Sequence, residues 1–175
     1  ALRNAEVLID LLAQSHPALV REAAPELAPL ADAPLEPFTL DSLAEMLPLI
    51  GIQRFQSDGT TAIYAWINDV LFAFALDNGP SLIIKGHWDP SLEEAEFTRL
   101  FLICNDWNRA HHGAVAFCHH TFEGLQVRMD AATITAAGLT RPQLFSAVGR
   151  GLKHILHGID DIAREVTGAS PVEWP

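Results

Sequence analysis

Thr61-Ala62-Ile63-Tyr64-Ala65-Trp66-Ile67-Asn68-Asp69-Val70-Leu71-Phe72-Ala73-Phe74-Ala75-Leu76 is a pair of apolar runs joined by two residues that favour turns. β-Branched and aromatic side chains suit a pleated surface, and Asn-Asp accepts the backbone of a tight reversal, so the stretch predicts an antiparallel hairpin. Ile52 to Gln56 precedes it across Asp58-Gly59, and Ser81 to His87 follows it across Asp77-Asn78-Gly79-Pro80. Four short runs with such joints predict an antiparallel meander. Period-two alternation sends Ile63, Ala65 and Ile67 to one face and Ala62, Tyr64 and Trp66 to the other. Next door, Phe72, Phe74 and Leu76 oppose Leu71, Ala73 and Ala75. Both faces therefore read as apolar. A sheet with one solvated face should alternate apolar with polar, so a cover is expected on the second face too: the proline-rich segment, the first helix or another subunit. Tyr64, Trp66, Phe72 and Phe74 are the residues expected to serve as core or as contact surface.

Helical signals surround the meander. Thr39 reads as an N-cap with Phe38 and Leu43 placed for a hydrophobic staple, Asp41 in the first turn and Gly51 as the stop, which predicts a helix over 40–50. Ser91-Leu92-Glu93-Glu94 has capping-box spacing, and Phe97, Leu100, Phe101, Cys104, Trp107 and Asn108 share one stripe, predicting a helix over 92–110. Ala116 to Phe122 and Leu125 to Asp130 flank Glu123-Gly124 as a half-buried hairpin. Thr140-Arg141-Pro142-Gln143 starts a last helix whose seam of Leu144, Val148, Leu152, Ile155, Ile159 and Ile162 runs to about residue 166. Gly149 and Gly151 lie in that seam, where small residues permit close approach. Helix, strand meander, helix, hairpin, helix is the order of an α+β domain with an antiparallel sheet.

The predicted organisation is an N-terminal helix and proline-rich strap over 1–37, the α+β domain over 38–167, and a frayed tail over 168–175. The first part rests on Leu2, Ala5, Leu8, Ile9 and Leu12 at helical spacing, then five prolines from Pro17 to Pro37. The net charge of −11 over 175 residues repels phosphate backbones and anionic headgroups, so neither nucleic acid nor membrane is an expected partner. Two cysteines, Cys104 and Cys118, are too few for a secreted disulfide framework. With no signal-peptide pattern and no apolar run near the roughly 20 residues of a membrane span, the expected setting is cytoplasmic. The chain begins at Ala1 rather than Met, which fits removal of an upstream piece.

Asn105-Asp106-Trp107-Asn108-Arg109 closes the second core helix with two amides and an indole. Asn105, Asn108 and Arg109 are spaced to share one side of the last turns. Such amides either satisfy carbonyls at the helix end and backbone groups of an adjacent strand, or hold a polar ligand. No neighbouring acid, base or glycine loop completes a ligand site, which favours the structural role. The run from Leu102 to Arg109, the hairpin ending in Met129-Asp130, and Gly138-Leu139-Thr140 before the last helix together resemble the YbjN domain family of bacteria. The resemblance covers about residues 38–166 and is most specific at Asn105, Trp107, Asn108 and Arg109. It implies a type III secretion chaperone-like fold, a tendency to dimerise, and a binding or regulatory module, in a family labelled as a candidate sensory transduction regulator, rather than an enzyme.

The rival reading is a small-molecule or metal-binding sensor. His111-His112, Cys118 and His119-His120 crowd one segment, Cys118 and His120 share a strand face, and thiolate with imidazole suits zinc or copper. Cys-x-His without a second pair at ligand spacing is a weak motif, and imidazoles at a helix C-terminus also suit the dipole. Glu93, Glu94 and Glu96 sit at a helix start, and Asp160-Asp161 on the expected exposed side of the last helix. Ser57, Ser81 and Ser146 lack a nucleophile-elbow context. The expectation is a non-enzymatic protein-interaction module whose partner is a second copy of itself, as a homodimer, or a peptide segment of another protein, with no catalytic residue, cofactor or metal site assigned.

Overall fold

The computed structural model describes residues 34–76 and 81–174. The expected N-terminal helix, most of the strap and the Asp77 to Pro80 joint lie outside the described residues. Within them the chain is α+β: α1 (Leu40–Met46), β1 (Gln56–Ser57), β2 (Ala62–Ile67), β3 (Val70–Leu76), β4 (Ser81–Leu92), α2 (Phe97–Ala110), β5 (Val115–Thr121), β6 (Gly124–Ile134) and α3 (Arg141–Thr167). The strands form one antiparallel sheet in the order β1-β2-β3-β4-β6-β5. α2 and α3 pack on one side of it, here called the inner face.

Local chemistry accounts for most boundaries. Thr39 caps α1 by accepting from the Ser42 N–H, and Ser42 returns the bond to Thr39. Pro48 cannot donate within an α-helix, so the expected helix over 40–50 divides into α1 and a 3-10 turn over Leu47–Ile50, which ends at Gly51 with φ +90°. Ile52 then donates its N–H back to the Leu47 carbonyl at 3.0 Å. That bond removes it from any ladder, and the first expected strand shrinks to Gln56–Ser57. Asp58 makes the next turn by accepting from the N–H groups of Thr60, Thr61 and Ala62.

A second boundary also moves. Ser91 is not the N-cap of the second core helix: β4 runs through it to Leu92, which pairs with Leu125 after a register shift. Ser91 sits at φ +53° and donates its N–H to Asp89 Oδ1 at 2.8 Å, so Asp89 holds the bulge that carries the strand onward. A 3-10 turn over Glu94–Glu96 follows and α2 begins at Phe97. The capping box at Thr140 and Gln143 forms as expected.

Inner-face positions supply the core: Ile63, Phe72, Phe74, Leu82, Ile84, Leu125, Val127 and Met129 meet the seam of Leu144, Val148, Ile155, Ile159 and Ile162. Small residues set the approach of α3. A Cβ on Gly151 would lie 2.6 Å from Ile84 Cδ1, and one on Gly158 would lie 2.3 Å from Met129 Cε, whereas Gly149 faces open space. Close helix-to-sheet contact thus depends on Gly151 and Gly158. The tail is not frayed: Val172 is buried, and Trp174 stacks on His157 with ring centroids 4.4 Å apart and donates to Asp160. Among the described residues no helix is long and apolar enough to cross a membrane.

Candidate functional site

Two amide oxygen and nitrogen contacts define what the helix-end motif does. Asn108 Nδ2 donates to the Ala116 carbonyl at 2.9 Å, and the Ala116 N–H donates to Asn108 Oδ1 at 2.7 Å. Ala116 belongs to the edge strand β5, so the side chain acts as a one-residue strand that pairs an edge N–H and C=O. Trp107 is buried, donates its indole N–H to Asp161 at 3.1 Å, and stacks on His111 at 4.5 Å. α2 is thereby tied to β5 on one side and α3 on the other. Arg109 points outward, 82% exposed, 3.5 Å from an equally open Asp106. Asn105 makes no side-chain hydrogen bond among the described residues, and the two asparagines and Arg109 do not converge on a shared ligand position.

The aromatic strand residues separate by face. Phe72 and Phe74 have no exposure, lie 6.3 Å apart in the core, and are not contact surface. Tyr64 and Trp66 are 41% and 68% exposed on the outer face. Register continues that face across the sheet: Trp66 lies beside Leu71, then His87, Arg128 and Phe117, and Tyr64 beside Ala73, Lys85, Asp130 and Val115. Ile83 and the 78% exposed Ile134 carry the apolar character toward the other end. No described helix covers this face.

Polar groups gather in its middle. Arg128 Nε is 3.0 Å from Asp130 Oδ1, without hydrogen-bond alignment, and its guanidinium lies over the Phe117 ring at 4.9 Å. His87 Nδ1 is 3.3 Å from Gln126 Oε1. Burial, with the charges of Arg128 and Lys85, lowers the His87 pKa against the opposing pull of Gln126 and Asp130. Burial and the Arg128 charge lower His119 in the same way. Both shifts favour the neutral imidazole. A cavity of about 330 Å³ opens where Trp66, Asp69, Leu71, His87, Asp89 and Gln126 meet.

Of the residues in the sensor reading, His120 and His111 are engaged elsewhere and the two cysteines are free. His120 stacks on Phe97 at 4.2 Å, His119 points to the opposite face, and His111 Nδ1 lies 3.0 Å from the Trp107 carbonyl. Burial, helped by nearby Cys118, pushes the Cys104 thiol up to about 12. Among the described residues no group of three or more His, Cys, Asp or Glu side chains is placed to hold a metal ion.

One polar centre escaped sequence reasoning. Asp160 was expected on the exposed side of α3, yet it is 8% exposed, bonded by Arg164 at 2.8 Å and by Trp174 at 3.0 Å. Burial alone would raise its pKa, but polar contacts from Ser170, Trp174 and Arg164 and the Arg164 charge outweigh it, and the value is lowered. The i, i+4 spacing of Asp160 and Arg164 was readable; the return of Trp174 was not.

No family model matches the sequence, and no curated protein matches it. Among solved structures, the fold matches YbjN from E. coli, described as "a putative transcription regulator", with a TM-score of 0.61 and 14% identity over 77% of this chain and 96% of that one. Element order, antiparallel sheet and that match together establish a YbjN-like α+β fold for this chain.

Proposed function

We propose that this chain is a non-enzymatic protein-interaction module, chaperone-like or regulatory, that works as a cytoplasmic homodimer and uses the outer face of its sheet as the contact surface. The observation that carries the reading is the outer row of Tyr64, Trp66, Leu71, Ile83 and Ile134, apolar side chains without a described cover. Exposed apolar surface of this kind, with Lys85, Arg128 and Asp130 grouped at its centre and Asp89 beside it, suits a contact surface that also carries specific charges. The description of the E. coli protein as a regulator supports the regulatory part, and the net charge of −11 favours protein contact over direct nucleic-acid binding. A peptide segment of another protein is the second occupant this surface suits.

Sedimentation velocity across a concentration series tests it. The expected result is a mass rising from 19.1 kDa toward twice that value by tens of micromolar, roughly the range of a weak homodimer. A single 19.1 kDa species throughout overturns the dimer.

A further inference from the structure

The outer face carries charges that find no ion-pair partner among the described residues. Asp69 and Asp89 stand on the rim of the 330 Å³ cavity beside the exposed Trp66 indole, and neither forms an ion pair among the described residues. His87 lines the same cavity, and Arg128 is turned away toward Asp130 and Phe117. Two carboxylates, an indole face and the Gln126 amide make a recess suited to a primary ammonium or a guanidinium. On the same face, Lys85 is half-buried between Ala73 and Asp130, and its register neighbour Asp130 is held by Arg128. Among the described residues Lys85 has no ion-pair partner.

From this complementarity we infer that in the homodimer Lys85 of each copy enters the Trp66–Asp69–Asp89 recess of the other. The inference rests on the reading of the outer face as the self-association surface. A twofold axis lying between two facing sheets, perpendicular to the line from Lys85 to the recess, exchanges the two positions, so one contact is made twice. Leu71 and His87 form the wall of the recess nearest Lys85, one register pair beyond Ala73 and Lys85, and fall near that axis. Charge at the flanks then sets the register of the two faces, and a lysine meeting a second lysine excludes other registers.

The test is charge reversal read by sedimentation, with thermal melting to confirm folding. Lys85→Glu and Asp69→Lys, both on the surface and away from the core, should each raise the dimer Kd by at least about tenfold, since each breaks two contacts and adds two repulsions. Mixed in equal amounts, the two variants should recover a mixed dimer at concentrations where each alone is monomeric. Asp89→Asn, which keeps the acceptor for Ser91, should weaken the dimer by a smaller factor. A dimer whose Kd is unchanged by Lys85→Glu and Asp69→Lys, or variants that fail to associate when mixed, would overturn the Lys85 contact and leave the homodimer standing. A monomeric unsubstituted protein would overturn both.

Discussion

Trp66 and Phe72 occupy neighbouring strands and were equally apolar to a reader of the sequence, yet one is 68% exposed and the other has no exposure. The inner face is closed by two helices, close glycine contacts at Gly86, Gly151 and Gly158, and a set of polar ties at Asn108, Trp107 and Asp160. The outer face has the same strand chemistry without those ties. The difference teaches that strand composition decides how many faces need cover, whereas helix placement decides which face receives it from within the chain. It also divides mutational effects: substitutions on the inner face should act on folding, and those on the outer face on association.

Phe72→Ala gives the largest expected separation. It should cost about 3–5 kcal/mol, the range for truncating a buried phenylalanine, measured by urea unfolding. A loss under about 1 kcal/mol would erase the distinction between the faces. Asn108→Ala comes next, at about 1–3 kcal/mol, because it leaves the Ala116 N–H and C=O unpaired at a partly buried edge. Unchanged melting with altered association would instead make the motif part of a contact site.

Trp174→Ala should cost about 1–2 kcal/mol through the lost indole hydrogen bond and His157 stacking. This tie also has a pH signature. Asp160 has a folded-state pKa below its ordinary value of 3.8, so its contribution is present above that pH and is lost as pH falls through the depressed folded value. The stability difference between the unsubstituted protein and Asp160→Asn should therefore be constant near neutrality and shrink below pH 3.8, as followed by unfolding in a pH series. A difference that persists undiminished into strong acid would contradict the ionised tie. Smallest of all, Arg109→Ala should change stability by no more than about 0.5 kcal/mol, since its ion pair with Asp106 is open to solvent.

Much of the fold was legible because its signals are local. The alternation of β2 and β3, the Thr140–Gln143 box and the Leu144 to Ile162 seam each declare an element within a few residues of themselves. The β4 extension was less legible: Ser91-Leu92-Glu93-Glu94 has the spacing of a cap, and only the pairing of Leu92 with Leu125 pulls it into the sheet. Long-range pairing overrode a local preference. Asn108 could be placed at a helix end, and its role against a strand was one of the weighed readings, but its partner Ala116 is a tertiary fact. The recess at Trp66, Asp69 and Asp89 was invisible, since it depends on the Asn68 turn and the Asp89 bulge meeting across β2, β3 and β4. Trp174 finding Asp160 depends likewise on where the chain goes after Gly168.

The central claim is that the outer face is the surface through which two copies meet. Light scattering of the unsubstituted protein beside Trp66→Glu, at tens of micromolar and matched for thermal stability, tests it most directly. The account predicts twice 19.1 kDa for the former and 19.1 kDa for the latter, with melting temperatures that differ by only a few degrees, on the order of a surface substitution. Equal masses for the two proteins, whether both dimeric or both monomeric, would contradict it.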